Sequence, residues 1–76
     1  MIIVDAFQMK GNKHPIITSI RLDRDLTGKE RRSETAIIGN NNLTISIGST
    51  SLADLMWTGD EIQDPKALIG QEIILL

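Results

Sequence analysis

The sequence predicts a mainly β fold: a small antiparallel β-barrel or roll of about five strands with one or two short helical turns, built by residues 1–76 as a single β-rich domain. Three observations carry this expectation. Isoleucine and leucine dominate the apolar residues, which make up 41% of the chain, and β-branched isoleucine is stiff at χ1 and suits a pleated surface. Several short runs alternate apolar with polar residues, the period of a half-buried strand. Glycine and asparagine cluster between those runs, where tight turns need positive φ. Closing such a sheet removes strand edges that an apolar chain would otherwise expose.

Residues 2–9 read as a first strand. Ile3, Phe7 and Met9 share one face with Asp5 as the exception, and Ile2, Val4 and Ala6 share the other. Gly11-Asn12 marks a turn, and Pro15 keeps His14 extended. In residues 16–23, Ile16, Thr18, Ile20 and Leu22 point one way, while Ile17, Ser19, Arg21 and Asp23 point the other. Residues 24–34 are polar apart from Leu26 and read as a loop or the exposed tip of a long hairpin. Thr35 to Ile38 and Leu43 to Ile47 then flank Gly39-Asn40-Asn41-Asn42 as a hairpin. Ser51 is placed to cap a short helix over 51–57 that buries Leu52, Leu55 and Met56, with Thr58-Gly59 as its stop. Asp64-Pro65 starts one further helical turn that ends at Gly70 and sends Leu68 and Ile69 inward. Residues 71–76 close the chain as an apolar strand.

Composition narrows the chemistry. A chain of 76 residues buries only about 60% of its unfolded surface, so its margin of stability is thin. It has no cysteine and one histidine, which excludes disulfides, thiolate zinc sites and histidine-rich metal sites. Its aromatics are Phe7 and Trp57 alone, which leaves few stacking platforms and counts against single-stranded nucleic-acid binding. The opening Met1 to Val4 is interrupted by Asp5 and lacks a basic n-region, and no apolar run approaches membrane-spanning length, so a cytoplasmic chain with no membrane partner is expected. The net charge of −2 is unevenly spread. In residues 1–38, seven Lys and Arg stand against five carboxylates, giving +2; in residues 39–76, Lys66 alone stands against five, giving −4. Such asymmetry can guide contact between chains.

The sharpest local pattern is Asp23-Arg24-Asp25-Leu26-Thr27-Gly28, with Glu34 at the twelfth position from Asp23. This spacing resembles an EF-hand calcium loop, which implies oxygen ligation by Asp23, Asp25, Thr27 and Glu34 with Gly28 at the sharp turn. The segment departs from that family at its eighth position, Glu30, where an apolar residue belongs. It also carries Lys29, Arg31 and Arg32 within the loop and strands on its flanks. An apolar strand followed by Asp-x-Asp-x-Thr also resembles the first motif of haloacid-dehalogenase-type phosphatases, which implies Asp23 as nucleophile and Asp25 as general acid. That fold needs a large doubly wound sheet, for which this chain is too short.

Arg24, Lys29, Arg31 and Arg32, with Arg21 nearby, form a basic cluster around one loop. Guanidinium forks suit phosphate and carboxylate, so these residues are candidate binders of a nucleotide, a phosphate or a nucleic-acid backbone. His14 has no nucleophile or orienting partner at a recognisable spacing, and Ser49, Thr50 and Ser51 read as helix-start chemistry. Trp57, beside Met56, is the candidate anchor of a core or an interface. With no catalytic set and no cofactor motif, the sequence points to a non-catalytic protein-interaction or assembly module, an oligomer whose partner is another copy or another protein. The alternative is a small barrel that binds a nucleotide or nucleic acid through its basic hairpin loop.

Overall fold

The computed structural model describes residues 1–10, 16–47 and 53–76. Six strands are present: β1 (Ile3–Met9), β2 (Ile17–Leu22), β3 (Thr35–Ile38), β4 (Asn41–Ser46), β5 (Leu55–Thr58) and β6 (Ile73–Leu75). They form one sheet of order β1-β2-β5-β4-β3-β6 in which every ladder is antiparallel. Two lone 3-10 turns, Glu30–Arg32 and Pro65–Leu68, are the helical elements among the described residues. The mainly β expectation holds. No described helix is long and apolar enough to cross a membrane. The turn expected at Gly11-Asn12, with Pro15, lies outside the described residues.

Residues from all six strands, joined by Leu26, meet in one buried cluster, so the sheet curls round a single core. It does not close into a barrel. Between its two ends there is one isolated bridge, Ile2 to Glu72, beside the bonds Ile3 N–H to Gln71 O (2.9 Å) and Ile73 N–H to Met1 O (2.9 Å).

The structure corrects the face assignment in β1. Ile3 lies opposite Leu22 and Asp5 opposite Arg21, so Val4 is an extra residue and the register shifts across it. A bulge resets the alternation. Ile3 and Ala6 therefore both enter the core, and Phe7 and Met9 turn outward. The Asp5 carboxylate accepts the Ala6 N–H at 2.8 Å just beyond the bulge.

A second correction concerns the helix expected over 51–57. Residues 51 and 52 lie outside the described part, and Leu55–Thr58 is strand β5. It pairs with β2 over Thr18–Thr58, Ser19–Trp57, Ile20–Met56 and Arg21–Leu55. Pairing with a central strand, which fully buries Met56 against Ile20, prevails over local capping propensity. This is also why the sheet has six strands and not five.

The hairpin expected at the glycine–asparagine run is present but tighter. Ile38 pairs with Asn41, leaving Gly39-Asn40 as the two-residue turn. Gly39 has φ +59° and Asn40 does not share the positive φ, the pattern of a type II′ turn with glycine first. The turn expected at Asp64-Pro65 is also present, with Pro65 in its first position. Gly70 (φ +90°) then redirects the chain into β6, its N–H donating to Ile3 O at 2.8 Å. Leu68 packs on the core as expected, but Ile69 is exposed.

The β4–β5 ladder covers only Ile45–Thr58 and Ser46–Trp57. Where it stops, side chains take over. The Thr58 hydroxyl donates to Thr44 O at 2.8 Å and accepts the Asp60 N–H at 3.1 Å, and the Asp60 carboxylate accepts the Thr44 N–H at 2.8 Å. Thr18, the register partner of Thr58, is as deeply buried, yet its hydroxyl has no hydrogen-bond partner among the described residues. The two threonines should respond oppositely to the same isosteric change. Thr58→Val removes two hydrogen bonds at a buried position and should cost about 1–3 kcal/mol, whereas Thr18→Val should be neutral or stabilising by up to ~1 kcal/mol. Urea denaturation of both variants checks this, and equal losses would contradict it.

Candidate interaction face

With the core side of the sheet filled, the alternate residues stand on its outer face. One row crosses four neighbouring strands: Phe7 on β1, Ser19 on β2, Trp57 on β5 and Ser46 on β4. The next row, at the end of β1, holds Met9 paired with Ile17, and Gly59 follows Thr58 on β5. Phe7 is 39% exposed and Met9 53%, while Ile17, Leu55 and Trp57 are half-buried. Both aromatic residues of the chain thus lie on this face, two strands apart. Met9, Ile17, Ser46, Trp57, Thr58 and Gly59 line a recess open to solvent, in which apolar surface predominates.

Two ion pairs border this face. Arg21 Nε meets Asp54 Oδ2 at 3.0 Å, and Lys66 Nζ meets Asp5 Oδ1 at 3.0 Å. Each pair joins the basic half of the sequence to the acidic half. The Lys66 hydrogen bond, helped by the Ala6 N–H, holds the Asp5 carboxyl below its ordinary value. Of the candidate binding residues read from the sequence, Trp57 falls on this face. Phe7, Met9 and Ile17 join it there, although the sequence does not single them out. The available signal is Asp5, whose place among apolar neighbours marks the break in alternation.

Arg24, Lys29, Arg31 and Arg32 come together on a different part of the molecule, the connection from β2 to β3; it is not the hairpin the sequence suggests, because β5 and β4 lie between these two strands. Arg24 is not free: both its terminal nitrogens meet Glu30 at 2.8 Å, and Nη1 also donates to Asp25 O. Glu30 accepts the Thr27 N–H at 2.9 Å, while the Thr27 hydroxyl accepts the Glu30 N–H at 3.2 Å. This reciprocal capping box folds the turn. Arg24 and then the Thr27 N–H hold the Glu30 carboxyl down at about 2, well below its ordinary 4.5. Lys29, Arg31 and Arg32 join no ion pair among the described residues.

The calcium-loop spacing does not assemble a site. No group of three or more carboxylates or other ligands is gathered among the described residues. Thr27 is used by the capping box, and Asp23 accepts the Ile2 N–H at 3.1 Å. Glu30, the departure from the calcium-binding pattern, is the residue that organises the segment. His14 and Ser49 to Ser51 lie outside the described residues. A further recess of about 370 Å³ has a polar rim that includes Asn41, Asp60 and Glu61 over Leu43 and Leu68, but its Asp60 carboxylate is already held by Thr44.

Comparison with protein-family models, with curated proteins and with solved structures found no match for this chain.

The depressed carboxyl of Glu30 makes a pH prediction. A carboxyl held down in the folded state contributes stability that is present above its ordinary pKa and lost as pH falls through the folded value. The Arg24–Glu30–Thr27 arrangement should therefore persist through mild acid and loosen only as pH falls from 4.5 toward about 2. In Arg24→Ala, the Glu30 carboxyl followed by NMR should titrate much closer to 4.5. A titration still near 2 would contradict Arg24 as the main cause.

Proposed function

We propose that this chain is a non-catalytic protein-interaction and assembly module that engages another protein chain through the outer face of β1, β2 and β5. The observation that carries this reading is the gathering of Phe7, Met9, Ile17 and Trp57 on one solvent-facing sheet surface. Contiguous exposed apolar surface marks interaction sites, and aromatic residues and methionine are enriched in interfaces. Trp57 supplies the kind of large, half-buried anchor that dominates binding energy. The pairs Arg21–Asp54 and Lys66–Asp5 neutralise four of the charges beside this face.

A photo-reactive phenylalanine analogue placed at Phe7 tests this reading in cells. It should give adducts with protein, of this chain or another, while the same analogue at Asn40 on the β3–β4 turn should give none. Absence of protein adducts from position 7 would end the reading.

A second reading is favoured by Lys29, Arg31 and Arg32, three cations on one turn without acidic partners among the described residues. It makes this turn a binder of nucleotide phosphate or a nucleic-acid backbone, with Arg24 as its scaffold. Anisotropy of a labelled single-stranded oligonucleotide should then fall steeply with salt, and Arg31→Ala and Arg32→Ala should each lower the salt slope by about 1. No binding at low salt would dismiss it.

A further inference from the structure

We infer that the open end of β6, with the Lys29–Arg32 turn beside it, is a docking site for an extended acidic segment of another protein, added as a strand along Leu75. The inference goes beyond the outer face of β1, β2 and β5 and does not depend on it.

Backbone direction supplies the first part. β6 pairs with β3 on one side. On its other side the Ile73 N–H donates to Met1 O at 2.9 Å, and Glu72 bridges Ile2. Backbone groups along an antiparallel strand point alternately to its two sides, so Leu75, two residues on, aims its N–H and C=O the same way as Ile73. Leu76 confirms the alternation, because its N–H turns back to Thr35 O at 3.0 Å. Among the described residues nothing bonds the Leu75 N–H or C=O on that open side. A free donor and acceptor on one edge residue are a template to which a further strand adds.

Side chains supply the second part. Leu75 and Leu76 wall a recess of about 270 Å³ whose other side is the turn before β3, with Lys29, Arg32 and Ser33. Glu30 also lines it, but Arg24 holds both Glu30 oxygens. Two exposed cations remain, Lys29 and Arg32, without ion-pair partners among the described residues. Ile74 and Leu76, alternate residues that share one face, are 53% and 64% exposed.

These features converge on one occupant. The open Leu75 groups call for a main chain. Ile74 and Leu76 offer an apolar side chain of a neighbouring strand a cross-strand contact. Lys29 and Arg32 call for carboxylates, which a guanidinium fork suits in particular. A free phosphate or a nucleic-acid backbone would satisfy the cations and leave the Leu75 N–H and the leucine wall unused, whereas an acidic strand uses all three. One residue's hydrogen bonds and two exposed charges make the contact weak and salt-dependent.

The probe is the blocked peptide acetyl-Glu-Val-Glu-Val-Glu-amide, titrated to about 2 mM into the isotope-labelled full chain and followed by NMR. The amides of Leu75, Lys29 and Arg32 should shift. The Leu75 N–H, open to solvent in the chain alone, should become protected from hydrogen exchange as peptide is added. Replacing two exposed side chains together, Lys29→Gln and Arg32→Gln, should leave the melting temperature unchanged and weaken binding by about tenfold. An unmoved Leu75 at the highest peptide concentration would overturn the inference, as would equal binding of the counterpart acetyl-Lys-Val-Lys-Val-Lys-amide. A thymidine oligonucleotide that shifts Lys29 and Arg32 where the peptide does not would assign the turn to phosphate instead. Protection of Leu75 that grows with the concentration of the chain alone would make a second copy the occupant, and the inference would again fall.

Discussion

Residues from all six strands meet in one aliphatic cluster in which Ile3, Ala6, Ile20, Ala36 and Met56 are wholly excluded from solvent, and the rest of the structure depends on that burial. Apolar surface removed from water contributes about 25 cal/mol per Å², and neither cysteine nor, among the described residues, a cluster of metal ligands supplements it. A sheet curled this tightly has a narrow interior, filled by alternating small and large residues. Ala6, Ile20 and Met56 form one core row across three neighbouring strands in register. Phe7 and Trp57 stand on the opposite face because register places them there, Phe7 by way of the bulge at Val4. With only two 3-10 turns among the described helical elements, nothing described there lies over the outer face as a second layer. The exposed aromatics are thus a consequence of how the core is built, and they become available for another use.

The connection between β2 and β3 is ordered by a different interaction. Thr27 and Glu30 satisfy each other's backbone N–H groups, Arg24 clamps Glu30, and Leu26 drops into the core with its N–H bonded to Ala53 O at 2.6 Å. A charge-assisted fork of this kind is stronger than a neutral hydrogen bond, although exposure to water limits what it contributes. The arrangement separates the basic residues into two groups. Arg24 is structural, whereas Lys29, Arg31 and Arg32 have no carboxylate partners among the described residues.

Much of this was legible in the sequence, and the misses have identifiable causes. The strands at β2, β3 and β4 follow from alternation and turn residues, β6 from its apolar, strand-favouring run, and the turn at Asp64-Pro65 from its helix-start residues. β5 was not legible, because Ser51 and Asp54 offer a helix start and four residues, Leu55 to Thr58, are too few to show a period. Only the availability of β2 as a partner decides their conformation. The bulge at Val4 hid in the same way: period-two reading carries Phe7 inward with Ile3, whereas one extra residue sends it out. Of the candidate site residues, the basic cluster was visible as a cluster, but the pairing of Arg24 with Glu30 needed the turn to bring them together. Trp57 was visible as an anchor, but its neighbours Phe7, Met9 and Ile17 come from strands far away in sequence and depend on register.

The way the sheet treats its edges bears on how it can be used. An exposed edge strand invites another chain to add as a further strand. Here both ends of the strand order are occupied over part of their length. Beside β1, Gly70 donates to Ile3 O, Lys66 reaches Asp5, and the Gln8 carboxamide donates to Ile62 O. Beside β6, Ile73 donates to Met1 O, and Glu72 bridges Ile2. Strand addition is thus hindered at Ile3 and at Ile73, whose outward backbone groups are bonded, while Lys66 and Gln8 bring neighbouring chain alongside β1. The outer face of β1, β2 and β5 is a different kind of surface, one of side chains. A partner engaging it would meet Phe7, Met9, Ile17, Ser46 and Trp57, and changes at the exposed ones should alter such binding without unmaking the core beneath.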